Sequence, residues 1–200
     1  MNFLGQAVRL LAILGSLMLV SCIDGREEYW LNADGSGRAD ITYSLPEAAA
    51  KFHGGATGVE KMIVEFLAEI RAIKTSSLTV STHDGRLTVH LLATFDSAVE
   101  MAETANDGAL EKLPPAASGL SGLIDVKIHG RTVAFSRVIN AGKSLPGSFF
   151  MPNSSFEGRS LAYIVHLPLA ATQTNAADVR DNGRTLEWNF PMSQAIRGPV

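Results

Sequence analysis

Cys22 is the only cysteine among 200 residues, and it ends the most apolar stretch of the chain, LLAILGSLMLVSC, Leu10 to Cys22. A thiolate is the side-chain nucleophile that most readily forms a stable thioether, so a lone thiol at this place is a candidate for alkylation. With no second cysteine there is no intramolecular disulfide, and a packed core must carry the stability. The other residues able to do chemistry are scattered. His53, His83, His90, His129 and His166 contain no i, i+4 pair, and the chain has no HExxH or Cys/His cluster, so metal ligation has no spaced support. AGKS, Ala141 to Ser144, resembles the end of a phosphate-binding loop, but the glycine required five residues before the Gly142–Lys143 pair is Arg137. DGSG at Asp34 begins like a calcium loop. With Asp34 as position 5, position 12, which must be a bidentate Glu, falls on Ile41. No G-x-S-x-G elbow marks a nucleophilic serine. Glu60, Glu65 and Glu69 share a polar helix face, where solvated carboxylates explain them without a glycosidase pair. The reading therefore assigns no catalytic residue, no metal ligand and no cofactor, and expects a protein that is not an enzyme.

The segment that positions Cys22 opens with Arg9 and runs eleven residues from Leu10 to Val20. A membrane crossing needs about 20 apolar residues, whereas a secretory signal has a basic start, a short apolar region and small residues at its end. Leu19-Val20-Ser21-Cys22 resembles the bacterial lipobox, in which the cysteine thiol is diacylglycerylated and the chain is cut just before it. Residues 1–21 are thus expected to be a lipoprotein signal peptide. Residues 22–200 would be a single lipid-anchored domain, with a weak boundary near 108–120. Cleavage removes one base, Arg9, and leaves 179 residues with a side-chain charge of −4, against −3 for the whole chain. That charge is no footprint for nucleic acid and is weak for capture by anionic headgroups. No later segment is apolar enough to cross a membrane. Attachment is expected from acyl chains such as palmitate, of which two or three hold stably and one only marginally. Ile23 follows the anchor and is not an inner-membrane retention signal, which favours the outer membrane in a cell with two.

The body alternates hairpins with helices. Glu28–Asn32 and Arg38–Ser44 flank the turn ADGSG, with Tyr29 and Leu31 alternating on one strand and Ala39, Ile41 and Tyr43 on the other. Ser44-Leu45-Pro46-Glu47, Thr57-Gly58-Val59-Glu60 and Ser97-Ala98-Val99-Glu100 have the form of capping boxes and predict three helix starts. Behind the second, Val59, Met62, Ile63, Phe66, Leu67, Ile70 and Ile73 form one apolar stripe, the mark of a helix lying on a sheet, with Phe66 mid-stripe. Leu78 and Val80 face Leu87, Val89, Leu91 and Phe95 around a His83-Asp84-Gly85 turn. A third hairpin pairs Leu123–Ile128 with Thr132–Ile139. Asn140–Gly158 reads as a long loop, and Leu161–Leu167 and Thr185–Phe190 read as strands. The expected fold is α+β, an antiparallel sheet built from successive hairpins with two to three helices packed on one face. Whether all hairpins share one sheet is open at this point.

Within the long loop, SLPGSFFMPN places Phe149, Phe150 and Met151 between Pro and Gly with little charge nearby. They either fold back over an open end of the sheet or form an exposed contact for membrane or partner. The lipobox, a first strand leading into DGSG, the mixed α/β body and the closing YIVHLPL…TNAADVRDNGRTLEWNF together resemble LppM-type bacterial lipoproteins. The resemblance implies an envelope lipoprotein without assigned catalysis, some members being linked to glycolipid binding at the cell surface. Members often carry a C-terminal membrane helix, which the residues up to Val200 do not show, and no binding residue carries over. The expected function is a non-catalytic module binding an apolar or glycolipid ligand at the membrane surface, in a cleft between sheet and helices. The alternative is a structural or adaptor lipoprotein facing another envelope protein. Replacing Cys22 is the direct check: Cys22→Ala should leave an uncleaved precursor that incorporates no labelled fatty acid, and normal labelling would contradict the anchor.

Overall fold

The computed structural model describes residues 23–106, 122–129, 132–144 and 152–200. Its centre is β1 (Asp24–Leu31), which alternates Gly25, Glu27, Tyr29 and Leu31 toward one face and Asp24, Arg26, Glu28 and Trp30 toward the other. β2 (Gly37–Pro46) returns antiparallel to it, across a turn in which the Asp34 carboxylate accepts the Ser36 amide at 3.0 Å and its hydroxyl at 2.7 Å. β3 (Ile73–His83) and β4 (Arg86–Phe95) form the next hairpin, and β4 pairs with β2. Asp84 and Gly85 both have positive φ, 49° and 71°, the two left-handed residues that a tight hairpin turn matching strand twist requires.

The other edge of β1 takes β7 (Ser160–His166), followed by β9 (Thr185–Pro191) and the short β8 (Asp178–Arg180). The sheet has seven strands in the order β3-β4-β2-β1-β7-β9-β8. It is mixed, not purely antiparallel as expected, because β7 runs parallel to β1. The cause is where the chain re-enters. α4 (Ala141–Ser144) and a 3₁₀ turn (Asn153–Phe156) pack against α5 (Met192–Arg197), in the cluster that buries Ile23, so β7 starts at the end where β1 starts. These two elements also break up the long loop expected over Asn140–Gly158. Among the described residues, β5 (Leu123–His129) and β6 (Thr132–Val138) do not join this sheet and pair with each other alone.

α1 (Glu47–Lys51) and α2 (Gly55–Glu69) cover the β2–β4 half of the inward face, and α3 (Ala98–Asn106) packs on β5. Of the three capping boxes, only the third is made, with the Glu100 amide donating to Ser97 Oγ at 3.2 Å. Ser44 is a strand residue whose hydroxyl accepts Arg86 Nε, and Thr57 lies inside a helix that starts at left-handed Gly54. The α2 stripe docks as expected through Val59, Ile63 and Leu67 onto Leu87, Leu91 and Ala93. Phe66 is only half-buried, at the margin of that contact. Leu87, fully enclosed on β4, is therefore the more critical side chain. Leu87→Ala should cost about 2–5 kcal/mol in urea melts. Val64→Ala, on the exposed face of α2, should change stability by no more than about 0.5 kcal/mol.

Candidate functional site

Glu27 occupies an inward position in the middle of the central strand and is 3% exposed. A carboxylate there needs charged and hydrogen-bonding partners, because its ionised form loses its hydration. Arg137 of β6 supplies the charge in a bidentate fork, Nη1 to Oε2 at 2.6 Å and Nη2 to Oε1 at 3.0 Å. Tyr29 donates its hydroxyl to Oε2 at 2.5 Å, and Tyr43 donates to Oε1. Tyr43 reaches across because its strand partner is Gly25. A Cβ on Gly25 would meet the Tyr43 ring at 2.5 Å and Leu161 at 2.9 Å. The Arg137 guanidinium also lies 4.5 Å from the centre of the Tyr163 ring, a cation–π contact.

These groups set one another's ionisation. Burial alone would push the Glu27 carboxyl up, but the charge of Arg137 and the bonds from Arg137, Tyr29 and Tyr43 outweigh it and hold it below its ordinary 4.5. Burial and the Glu27 charge push both Tyr29 and Tyr43 well above the usual tyrosine range, and burial does the same to Tyr163. At neutral pH the cluster is one carboxylate, one guanidinium and three neutral phenols.

The ion pair fixes the β5–β6 hairpin over the β7–β9 half of the inward face, leaving a cleft of about 150 Å³ between them. Arg137 and Tyr29 form its inner end. Tyr163, Phe190 and Val165 form the sheet wall, Phe135 and Ile139 the hairpin wall, and Trp188 and Asn175 the outer rim. Trp188 Nε1 donates to Asn175 Oδ1 at 3.0 Å, which pins the indole at the rim. The sequence-based expectation placed a cleft between sheet and helices. The space under α2 is instead filled by Ile63, Phe66, Leu67 and Leu91.

The outward face of β1 carries ion pairs. Asp24 bridges Arg86 at 2.9 Å and Arg159 at 2.7 Å. Glu28 lies 2.6 Å from His166 Nε2, whose Nδ1 is 3.1 Å from Thr185 Oγ1. Thr–His–Glu has the order of a nucleophile, base and orienting acid. Here the Thr185 hydroxyl donates to Asp181 at 2.6 Å and the residue is 4% exposed, so the oxygen neither faces a substrate nor offers its proton to His166. Trp30 stacks on His166 at 4.9 Å and carries Arg38 over its ring at 4.0 Å. His90 pairs with Asp40 at 2.9 Å, and His83 sits exposed at the β3–β4 turn. Cys22 and Phe149, Phe150 and Met151, the residues singled out by sequence, lie outside the described residues. Sequence reasoning placed Tyr29 and Tyr43 inward but missed Glu27 and Arg137. The available signal was an acid two residues from Tyr29, on the same strand face.

A solved structure of similar fold is the NMR structure of the folded domain of LppM from Mycobacterium tuberculosis. It aligns with a TM-score of 0.51 over 84% of this chain and 82% of that one, at 16% sequence identity. The chain has the LppM-type fold. In sequence, no known protein family and no curated protein matches it. The resemblance read from the two ends of the chain thus extends through its body as shared architecture.

Glu27→Gln removes the charge but keeps the shape, and takes from the buried Arg137 guanidinium the carboxylate that faces it. It should cost about 3–5 kcal/mol at pH 7. The sign with pH follows from the lowered carboxyl. Below its ordinary 4.5 the unfolded state binds the proton more readily than the folded one, so the stabilisation is complete above that value and is lost as pH falls through the folded one. Urea melts of the wild type should weaken on acidification more steeply than those of Glu27→Gln. Parallel acid limbs would show that Glu27 is not the titrating carboxylate.

Proposed function

We propose that the protein is a lipid-anchored envelope lipoprotein whose domain is a non-catalytic binding module, and that the cleft beside Arg137 takes part of an apolar or glycolipid ligand. The observation that carries this is the lining of the cleft: aromatic and aliphatic walls with a polar inner end and an amide at the rim. Such sites gain affinity from apolar burial and orientation from a few polar groups. Size limits the ligand. About 150 Å³ holds roughly five water-sized groups at ~30 Å³ each, so one sugar ring or the end of an acyl chain enters while the rest stays outside. The lipobox at Cys22 supports the anchor, and the LppM-type fold accords with it. The capped Thr185 hydroxyl supports a module without catalysis.

The adaptor reading draws on a different feature, the exposed apolar residues of the hairpin, Leu123 at 67% and Val133 at 60%. The two readings separate in one titration. The protein has two tryptophans, Trp188 at the cleft and Trp30 on the opposite sheet face. Dibromostearate added to the purified domain should quench fluorescence saturably in the wild type and in Trp30→Phe, and not in Trp188→Phe. Trp188→Ala, read by competition with the wild type, should weaken binding about ten- to a hundredfold, the worth of burying one large apolar side chain. Absence of saturable quenching would remove the apolar-ligand reading and leave the hairpin surface as the functional one.

A further inference from the structure

The described chain begins inside the core. Ile23 is 7% exposed and packs with Ile139, Met192, Ala195 and Ile196, and the next residue, Asp24, opens the central strand. Its carboxylate is clamped by Arg86 at the start of β4 and Arg159 ahead of β7. Cys22 is one peptide bond from Ile23, a Cα separation of about 3.8 Å. A flexible tether lets a domain roam by about 5–6 Å times the square root of its length in residues. Here there is no tether.

We propose that the end of the sheet holding Ile23 and Asp24 is seated directly on the bilayer that carries the anchor, so that the domain has one fixed orientation on the membrane. This rests on the lipid-anchor reading of Cys22. The strand register says what else lies at that end. β2 finishes there at Pro46, β4 starts there at Arg86, β7 starts there at Ser160 and β9 finishes there at Pro191. The corner between α1 and α2 follows Pro46 and presents Phe52, which is 74% exposed. An exposed apolar side chain on the same end of the sheet as an acyl anchor gains by burial at the boundary of headgroups and acyl chains.

Charge neither drives nor blocks this contact. Among the described residues at this end, Lys51, Arg86, Arg159 and Arg197 stand beside Asp24, Glu47, Asp84 and Glu157, so charge of both signs is present. The surface therefore suits a phospholipid interface of any headgroup charge, and the acyl chains supply the attraction. Seating also places the cleft. Ile139, Phe190 and Val200 line it and belong to the cluster that buries Ile23, so one side of the cleft lies at the seated end of the sheet.

The test uses the lone cysteine. With its thiol acylated, Phe52→Cys creates a single free thiol for a nitroxide label, and Leu169→Cys creates one beyond the far end of β7. Acylated full-length protein in phosphatidylcholine vesicles should show the label at 52 shielded from an aqueous nickel chelate and open to dissolved oxygen, a several-fold change from the unacylated domain in solution. The label at 169 should not change. Ten Gly/Ser residues inserted between Cys22 and Ile23 should abolish the contrast. Equal nickel access at 52 and 169 in protein whose mass proves acylation would overturn the seating and leave the anchor intact. A mature chain without acyl mass on Cys22 would overturn both.

Discussion

A carboxylate buried in the middle of the central strand commits the rest of the molecule. Glu27 cannot stay ionised at 3% exposure without a cation, and the cation comes from Arg137, 110 residues away on a hairpin that pairs with no strand of the main sheet. Pairing with the strands of the main sheet does not hold that hairpin in place. What holds it are its contacts with α3, the mutual backbone bonds of Ile139 and Val200, and the fork on Glu27. The ion pair acts as a positional device: an apolar pair of similar volume could slide along the sheet, whereas a bidentate fork fixes one register.

That placement divides the inward face in two. On the β2–β4 half, helices close onto aliphatic side chains and leave a filled core. On the β7–β9 half, the hairpin stands on a charged foot and its strands cannot collapse onto Tyr163, Trp188 and Phe190, so a cleft persists. The outward face does the opposite. Its carboxylates and basic side chains neutralise one another in pairs across neighbouring strands, and the groups that look catalytic in order are tied up in those pairs.

Local structure was legible in the sequence, and long-range pairing was not. The β3–β4 hairpin follows from alternation and Asp84-Gly85, and α2 from its stripe, because both signals are short-range. The parallel β1–β7 contact could not be read, since it depends on where α4 and the 3₁₀ turn return the chain. Two capping boxes failed for different reasons: Ser44 serves Arg86, 42 residues away, and Gly54 starts α2 before Thr57 is reached. β8, three exposed residues, has no apolar pattern to find. Arg137 attracted notice only as a wrong residue in a phosphate-loop motif. Its role as the partner of Glu27 is a tertiary fact that no spacing encodes.

The central claim is that the Arg137 fork on Glu27 positions the hairpin and so creates the cleft. Hydrogen exchange of the Arg137→Met variant measures it strand by strand. The account predicts that amides of β5 and β6 lose protection while those of β1, β2 and β4 keep theirs, because the main sheet is paired independently of the hairpin. Unchanged protection in β5 and β6, with the sheet intact, would contradict it.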